Sequence, residues 1–263
     1  MVFYNEMRSS QLAEAAERQA IIVLTTGAIE QHGPCLPVEV DIRICYEVGV
    51  RAAQQVAPEV PVLVMPPLHY GVSSHQMGFP GSITLRSKTF IDLVADISDS
   101  LVHHGFRRIM YLNGHGGNLE SLKVAARELR DRAKVRVAVG RYWDFGREEI
   151  MQRRETALGG MAHACELEHS CMMALRPHLV DDRHRHANVP QWQTRYITQD
   201  LFDLGKVNFP YDVHEISRTG VVGDPTTASA EKGEEFMGYI VGGLSRFFED
   251  FYNWDLEDIV QLP

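Results

Sequence analysis

The chain has 263 residues, 44% of them hydrophobic and 23% charged, with a formal net charge of −9. That size and balance fit a globular protein with a sizeable buried core. The acidic excess argues against nucleic acid or an anionic membrane as the main partner, because phosphate binding requires a basic face, and no apolar run is long enough to span a bilayer.

The first twenty residues show no basic segment followed by an apolar core, so a cytoplasmic protein is expected. Residues 21–26, IIVLTT, predict a buried strand. The spacing of Ile44, Val48 and Ala52 predicts a helix over 42–56. A second strand, 60–65, is closed by Pro66-Pro67. A helix over 87–104, a strand over 108–113, an amphipathic helix over 119–133 and a strand over 135–141 follow. This alternation predicts an α/β fold with a largely parallel sheet covered by helices on both faces. Further on, 161–175 reads as a helix stopped by Pro177, and 181–212 as a polar excursion outside the core. Residues 223–225 read as a turn, serving as loop or subunit contact, before a closing helix over 231–251. No repeat, linker or composition break appears, so one domain over 1–263 is expected. Cys35, Cys45, Cys165 and Cys171 lack CxxC spacing and read as reduced thiols.

Three polar clusters fall at or near strand exits, where open parallel sheets bind ligands. The first is GAIEQHGPCLPVEVD, residues 27–41. In extended backbone, residues two apart point the same way, so Glu30 and His32 can reach one point. Asp41 stands just ahead of the next helix, as a cap or as a further acid in the site. The second is YLNGHGGNLESL, which sets His115 in a glycine-rich turn with Asn118 as N-cap of the next helix. It has no phosphate-loop lysine and no dinucleotide fingerprint. The third is MAHACELEHSC, with His163, Glu166, Glu168 and His169 among small apolar residues. On a helix His163 and Glu166 share a face, while Glu168 points elsewhere. Pooled, His32, His115, Glu30, Asp41, Glu166 and Glu168 offer the mixed imidazole and carboxylate donors that suit Zn, Mn or Fe. Two such ions can activate a water and polarise a carbonyl.

These motifs, with LHYGVSSHQMGFPGSITL and GVVGDPTTASAEKGEEF, resemble in kind and order those of the creatininase family. The resemblance covers roughly residues 21–247 and implies a three-layer αβα sandwich with a mainly parallel sheet. It implies Glu30, His32, Asp41 and His115 as ligands of two divalent ions (Zn or Mn, with Fe also compatible), Asp41 bridging them. Gly117 stands where creatininases proper place another ligand Glu, and Glu168 takes that part, with Glu166 in reserve. His163 resembles the family's proton-transfer histidine, with Glu166 or Glu168 taking the proton of the water held between the ions. The implied reaction is hydrolysis of a non-peptide C–N bond in a small cyclic amide or formamide, and the implied assembly a homohexamer. Ser73, His75, Gly116 and Trp143 are expected to border the substrate. The chain departs from the family at Cys35, Cys165 and His169, and the absent acid at 117 separates it from creatinine as a defined substrate. A peptide-processing activity, a non-catalytic metal-binding role, and a Cys165 nucleophile served by His163 or His169 are the alternatives.

Overall fold

A computed structural model describes residues 1–192 and 194–254. Strands β1 (Ile21–Thr26), β2 (Val62–Val64), β3 (Arg108–Asn113) and β4 (Arg136–Arg141) form one sheet in the order β2-β1-β3-β4. Every pairing in it is parallel, and Ile21 stands level with Val62 on one side and Arg108 on the other. The second strand is shorter than its apolar run, because Pro61 precedes it and Pro66-Pro67 follows within three residues.

The two-residue period of a strand divides the core into two layers. Ile21, Val23, Val62, Val64, Met110 and Leu112 pack on one face against α2 (Val40–Val56) and α8 (Ala230–Asn253). Ile22, Leu24, Leu63, Ile109 and Tyr111 pack on the other against α1 (Ser9–Glu17), α3 (Ser87–His103) and α4 (Leu119–Ala133). Each helix contributes one apolar stripe, such as Phe90, Val94 and Leu101 of α3, all fully buried. The result is an αβα sandwich. Among the described residues no helix is long and apolar enough to cross a membrane.

From β1 the chain runs over the first face to β2; from β3 it runs over the second face to β4. Strand order therefore reverses between β1 and β3, and a crevice opens at their carboxyl ends. Gly114, at the exit of β3, lets α2 press close. A Cβ there would stand 2.4 Å from the Asp41 carbonyl oxygen and 2.8 Å from Cys45 Cβ. Any side chain at 114 would push the start of α2, and Asp41 with it, away from the crevice.

The second half departs from its sequence reading in three places. Residues 161–175 are not one helix: Met161–His163 is a strand, β5, and the helix, α6, is Glu166–Leu175. Ala164 between them has φ of +52°, and this left-handed residue turns the extended chain into the helix. The expected turn at 223–225 is partly strand, since β6 (Val222–Gly223) pairs antiparallel with β5. The excursion is not wholly outside the core: Phe202 joins the first apolar layer, and buried Asp200 pairs with Arg154 at 2.9 Å. Two short helices, α5 (Arg147–Arg153) and α7 (Val213–Ile216), complete the fold.

Candidate metal centre

Glu30, His32, Asp41, His115 and Glu168 meet in the crevice, each at most 4% exposed. Thr26 ends β1, and the extended segment after it carries Glu30 and His32; His115 follows β3 at once. Asp41 lies in the first turn of α2, where it makes no cap; its position faces the crevice instead. Its two oxygens diverge: Oδ1 lies 3.1 Å from His32 Nε2 and Oδ2 lies 3.1 Å from His115 Nδ1. Glu30 Oε1 lies 3.2 Å from the same His115 nitrogen, and Glu168 Oε1 lies 3.8 Å from His32 Nε2. Two donor groups thus share Asp41: Glu30 with His115, and His32 with Glu168.

The far ring nitrogens fix the tautomers. His32 Nδ1 donates to the Glu30 carbonyl at 3.1 Å, and His115 Nε2 donates to the Val72 carbonyl at 3.0 Å. That leaves His32 Nε2 and His115 Nδ1 facing the carboxylates, the nitrogens that a metal would take on displacing their protons. Both asparagines of the NGHGGN turn hold this frame. Asn113 Oδ1 accepts from the His115 backbone N–H at 3.1 Å, and its Nδ2 donates to the His115 carbonyl. Asn118 is not a side-chain cap. Its Oδ1 accepts from Val72 N at 2.8 Å and its Nδ2 donates to the Gly27 carbonyl at 3.0 Å, which ties three loops together.

Burial alone would push the three acids up and the two imidazoles down. Mutual pairing outweighs it, holding Glu30, Asp41 and Glu168 below, and His32 and His115 well above, their ordinary ranges. Even so, Glu30 Oε2, His32 Nε2 and Asp41 Oδ2 are buried without a satisfactory hydrogen bond. Such orphaned atoms are costly unless a cation completes them. Three carboxylate-and-imidazole groups, {Glu30, His75, His115}, {Glu30, His32, His163} and {His32, Asp41, Glu168}, each have their donor atoms within 4.8 Å of one another. This donor chemistry fits two divalent ions of the Zn or Mn kind.

His163 lies beside the centre, its Nδ1 3.6 Å from Glu30 Oε1 and its ring 4.3 Å from that of His32. Burial, followed by the nearby His32, holds it below the ordinary histidine value. Two glutamines absent from the sequence reading orient it. The Gln31 amide nitrogen donates to Gln76 Oε1 at 2.7 Å and to the Gly220 carbonyl at 3.1 Å. With both amide hydrogens spent, His163 Nε2 donates to the Gln31 backbone carbonyl at 2.8 Å, and Nδ1 faces Glu30 as a lone pair. Neither glutamine stands out in the sequence, because their partners lie up to 189 residues away.

Several expected roles are corrected. Glu166 lies behind the centre, bonded to Lys232 Nζ at 2.6 Å, Thr156 Oγ1 at 2.6 Å and the backbone N–H groups of Glu155 and Thr156. It has no lone pair to offer the crevice and cannot be the catalytic acid or base. Residues two apart on a helix point nearly opposite ways, so of the two acids only Glu168 faces the crevice. Ser73 is fully buried behind His115, its hydroxyl 3.2 Å from Nε2, and does not border the cleft. Cys165 is fully buried, and burial together with Glu168 pushes its thiol well up, which removes it as a nucleophile.

The remaining expected residues line a cleft of ≈ 460 Å³ that opens from the centre: His75, Gly116 and Trp143. Its outer wall is Leu204, Phe209 and Tyr211 from the excursion, residues the sequence reading left unassigned. His75 is pushed down to about 4, chiefly by burial.

The Glu166–Lys232 pair ties α6 to α8 and so sets the aim of Glu168. Lys232→Met is expected to cost about 3–5 kcal/mol, because it leaves a buried carboxylate without its cation. Burial opposes the ionisation of Glu166, but Lys232 and the other donors outweigh it and hold the acid below its ordinary 4.5. A depressed acid stabilises the fold fully above pH 4.5 and loses that contribution as pH falls through the lowered value. Urea unfolding of both proteins from pH 7 to pH 3 is expected to show the gap narrowing on the acid side.

The sequence model of the creatininase family, described as creatinine amidohydrolase, matches residues 5–248. The chain belongs to the creatininase family. It is 33% identical to a creatinine amidohydrolase of Pseudomonas putida, over 93% of this chain and 95% of that one. It is 30% identical to a mycofactocin precursor peptide peptidase of Mycobacterium ulcerans, over 90% and 87%. A crystal structure of creatinine amidohydrolase superposes with a TM-score of 0.81 at 30% identity, over 97% and 99% of the two chains. Similar creatininase structures include a Glu-to-Gln variant of Zn-Zn type (TM-score 0.78, 31% identity, 95% and 98%) and a manganese form (0.80, 31%, 95% and 98%).

Proposed function

We propose that this creatininase-family member hydrolyses a non-peptide C–N bond in a small cyclic amide or formamide. The observation that carries the reading is Asp41, which reaches His32 with one oxygen and His115 with the other and so can serve two ions at once. When bound, divalent ions supply an acidified water and a polarised carbonyl.

The chain's own groups do the rest. Glu30, His32, Asp41, His115 and Glu168 would hold both ions. Trp143 and the excursion wall keep the amide against the centre and limit bulk water. His163, neutral and open at Nδ1, takes the proton that the water gives up as its oxygen bonds to the carbonyl carbon, and returns it to the nitrogen as the C–N bond breaks. The held Nε2–H keeps this tautomer through the cycle.

The test is a panel of lactams, formamides, ureas and short peptides with Zn, Mn or Fe, before and after chelation. Hydrolysis of a small amide that chelation abolishes and metal restores is the expected result. Turnover indifferent to chelation would defeat the reading. A peptide as the preferred member of the panel is the second reading, favoured by the exposed Leu204 and Phe209 at the mouth of the cleft.

A further inference from the structure

Gly117 and His75 occupy one corner of the centre. A Cβ built on Gly117 would stand 2.2 Å from the Val72 carbonyl oxygen, 2.5 Å from His115 Nε2 and 3.1 Å from His75 Cε1. No side chain can occupy position 117 in this backbone, so no acid can enter the centre from there. The corner holds the imidazole of His75 instead. Its ring lies nearly parallel to that of His115, at 8° and 5.6 Å between centroids. One of its ring nitrogens lies within 4.8 Å of the donor atoms of both Glu30 and His115. Among the described residues no hydrogen bond engages the His75 ring, although it is part-buried at the cleft wall. A part-buried imidazole with no protein partner, standing beside two ligand side chains, has a lone pair to give.

We infer that His75 is a protein ligand of the ion shared by Glu30, Asp41 and His115, filling the coordination position that position 117 cannot. The inference rests on the two-ion reading above. It makes the two sites chemically unequal. One would hold two imidazoles with Glu30 and Asp41, the other one imidazole with Asp41 and Glu168. Nitrogen donors favour Zn and Co over Mn, while carboxylate-rich sites suit Mn. The Glu30 site is therefore the one expected to keep Zn when Mn is in excess.

Two variants separate ligation from packing. His75→Phe keeps a flat ring against His115 but has no lone pair; His75→Gln keeps polarity and gives up the ring. Each purified protein is checked by circular dichroism, loaded with Zn and dialysed against a graded chelator, and its metal is counted by mass spectrometry. The unaltered chain is expected to hold two ions. Both variants are expected to release one of them at a chelator concentration at least about tenfold lower, while the second stays bound. Cobalt loading gives an independent readout, because the visible band of the Glu30 site changes when a nitrogen ligand is lost. If His75→Phe holds both ions as tightly as the unaltered chain and its cobalt spectrum is unchanged, His75 only packs and the inference is overturned. If the unaltered chain itself holds no ions, the two-ion reading falls first; two tight ions in every protein would sink only the part given to His75.

Discussion

Asp41→Asn is expected to release both ions and to lower amide hydrolysis by roughly 10³-fold or more, while the chain remains folded. The reason is geometric. Oδ1 and Oδ2 lie at 3.1 Å from two different histidines, so one substitution damages both donor groups at once. Among the described residues no other carboxylate lies within 4 Å of both histidines: Glu30 stands 3.2 Å from His115 and Glu168 3.8 Å from His32. The fold should tolerate the change: Asp41 caps nothing, and α2 is held by Ile44, Val48 and Ala52 in the first apolar layer. An amide also removes a buried negative charge, which lessens the cost of the empty centre. Metal counting, turnover and thermal melting in the absence of metal settle the matter together. Retention of both ions by a folded Asp41→Asn protein would show that the carboxylate is not shared.

His163→Gln is expected to behave differently: both ions stay, and kcat falls by about 10²- to 10⁴-fold, the usual worth of a positioned proton donor. His163 stands in a donor group with Glu30 and His32, but the ions can be held without it, by Glu30 with His115 and by His32 with Glu168 through Asp41, and its Nε2 is committed to the Gln31 backbone carbonyl. Only Nδ1 is open, so only proton transfer should be lost. A substrate whose leaving nitrogen is already acidic needs less help and should lose less rate in the variant. Equal losses across good and poor leaving groups, or loss of metal, would assign His163 a binding role instead.

Much of this centre was legible in the sequence because it is local to strand ends. IIVLTT marks a buried strand, and Glu30 and His32 stand two apart in the extended segment that follows it. His115 follows the third strand within two residues, and the alternation of elements gives the sandwich. What was not legible depends on distant partners. The choice between Glu166 and Glu168 is made by Lys232, 66 residues on, which draws one acid to the back of α6. His163 looked helical because its own segment is short and apolar-rich. It becomes a strand only by pairing with Val222, which no local pattern reveals. The excursion read as surface because its polar residues outnumber Phe202 and Asp200, whose burial depends on the elements they meet.

Leu204, Phe209 and Tyr211 touch the cleft, yet none belongs to either donor group. The stretch of chain that walls the outer cleft is thus separate from the stretches that carry the candidate donor residues. Substitution of these three side chains would leave the donor residues in place, so the shape of the cleft mouth can change while the donor set stays constant. A scaffold partitioned in this way can be inherited by enzymes with very different diets.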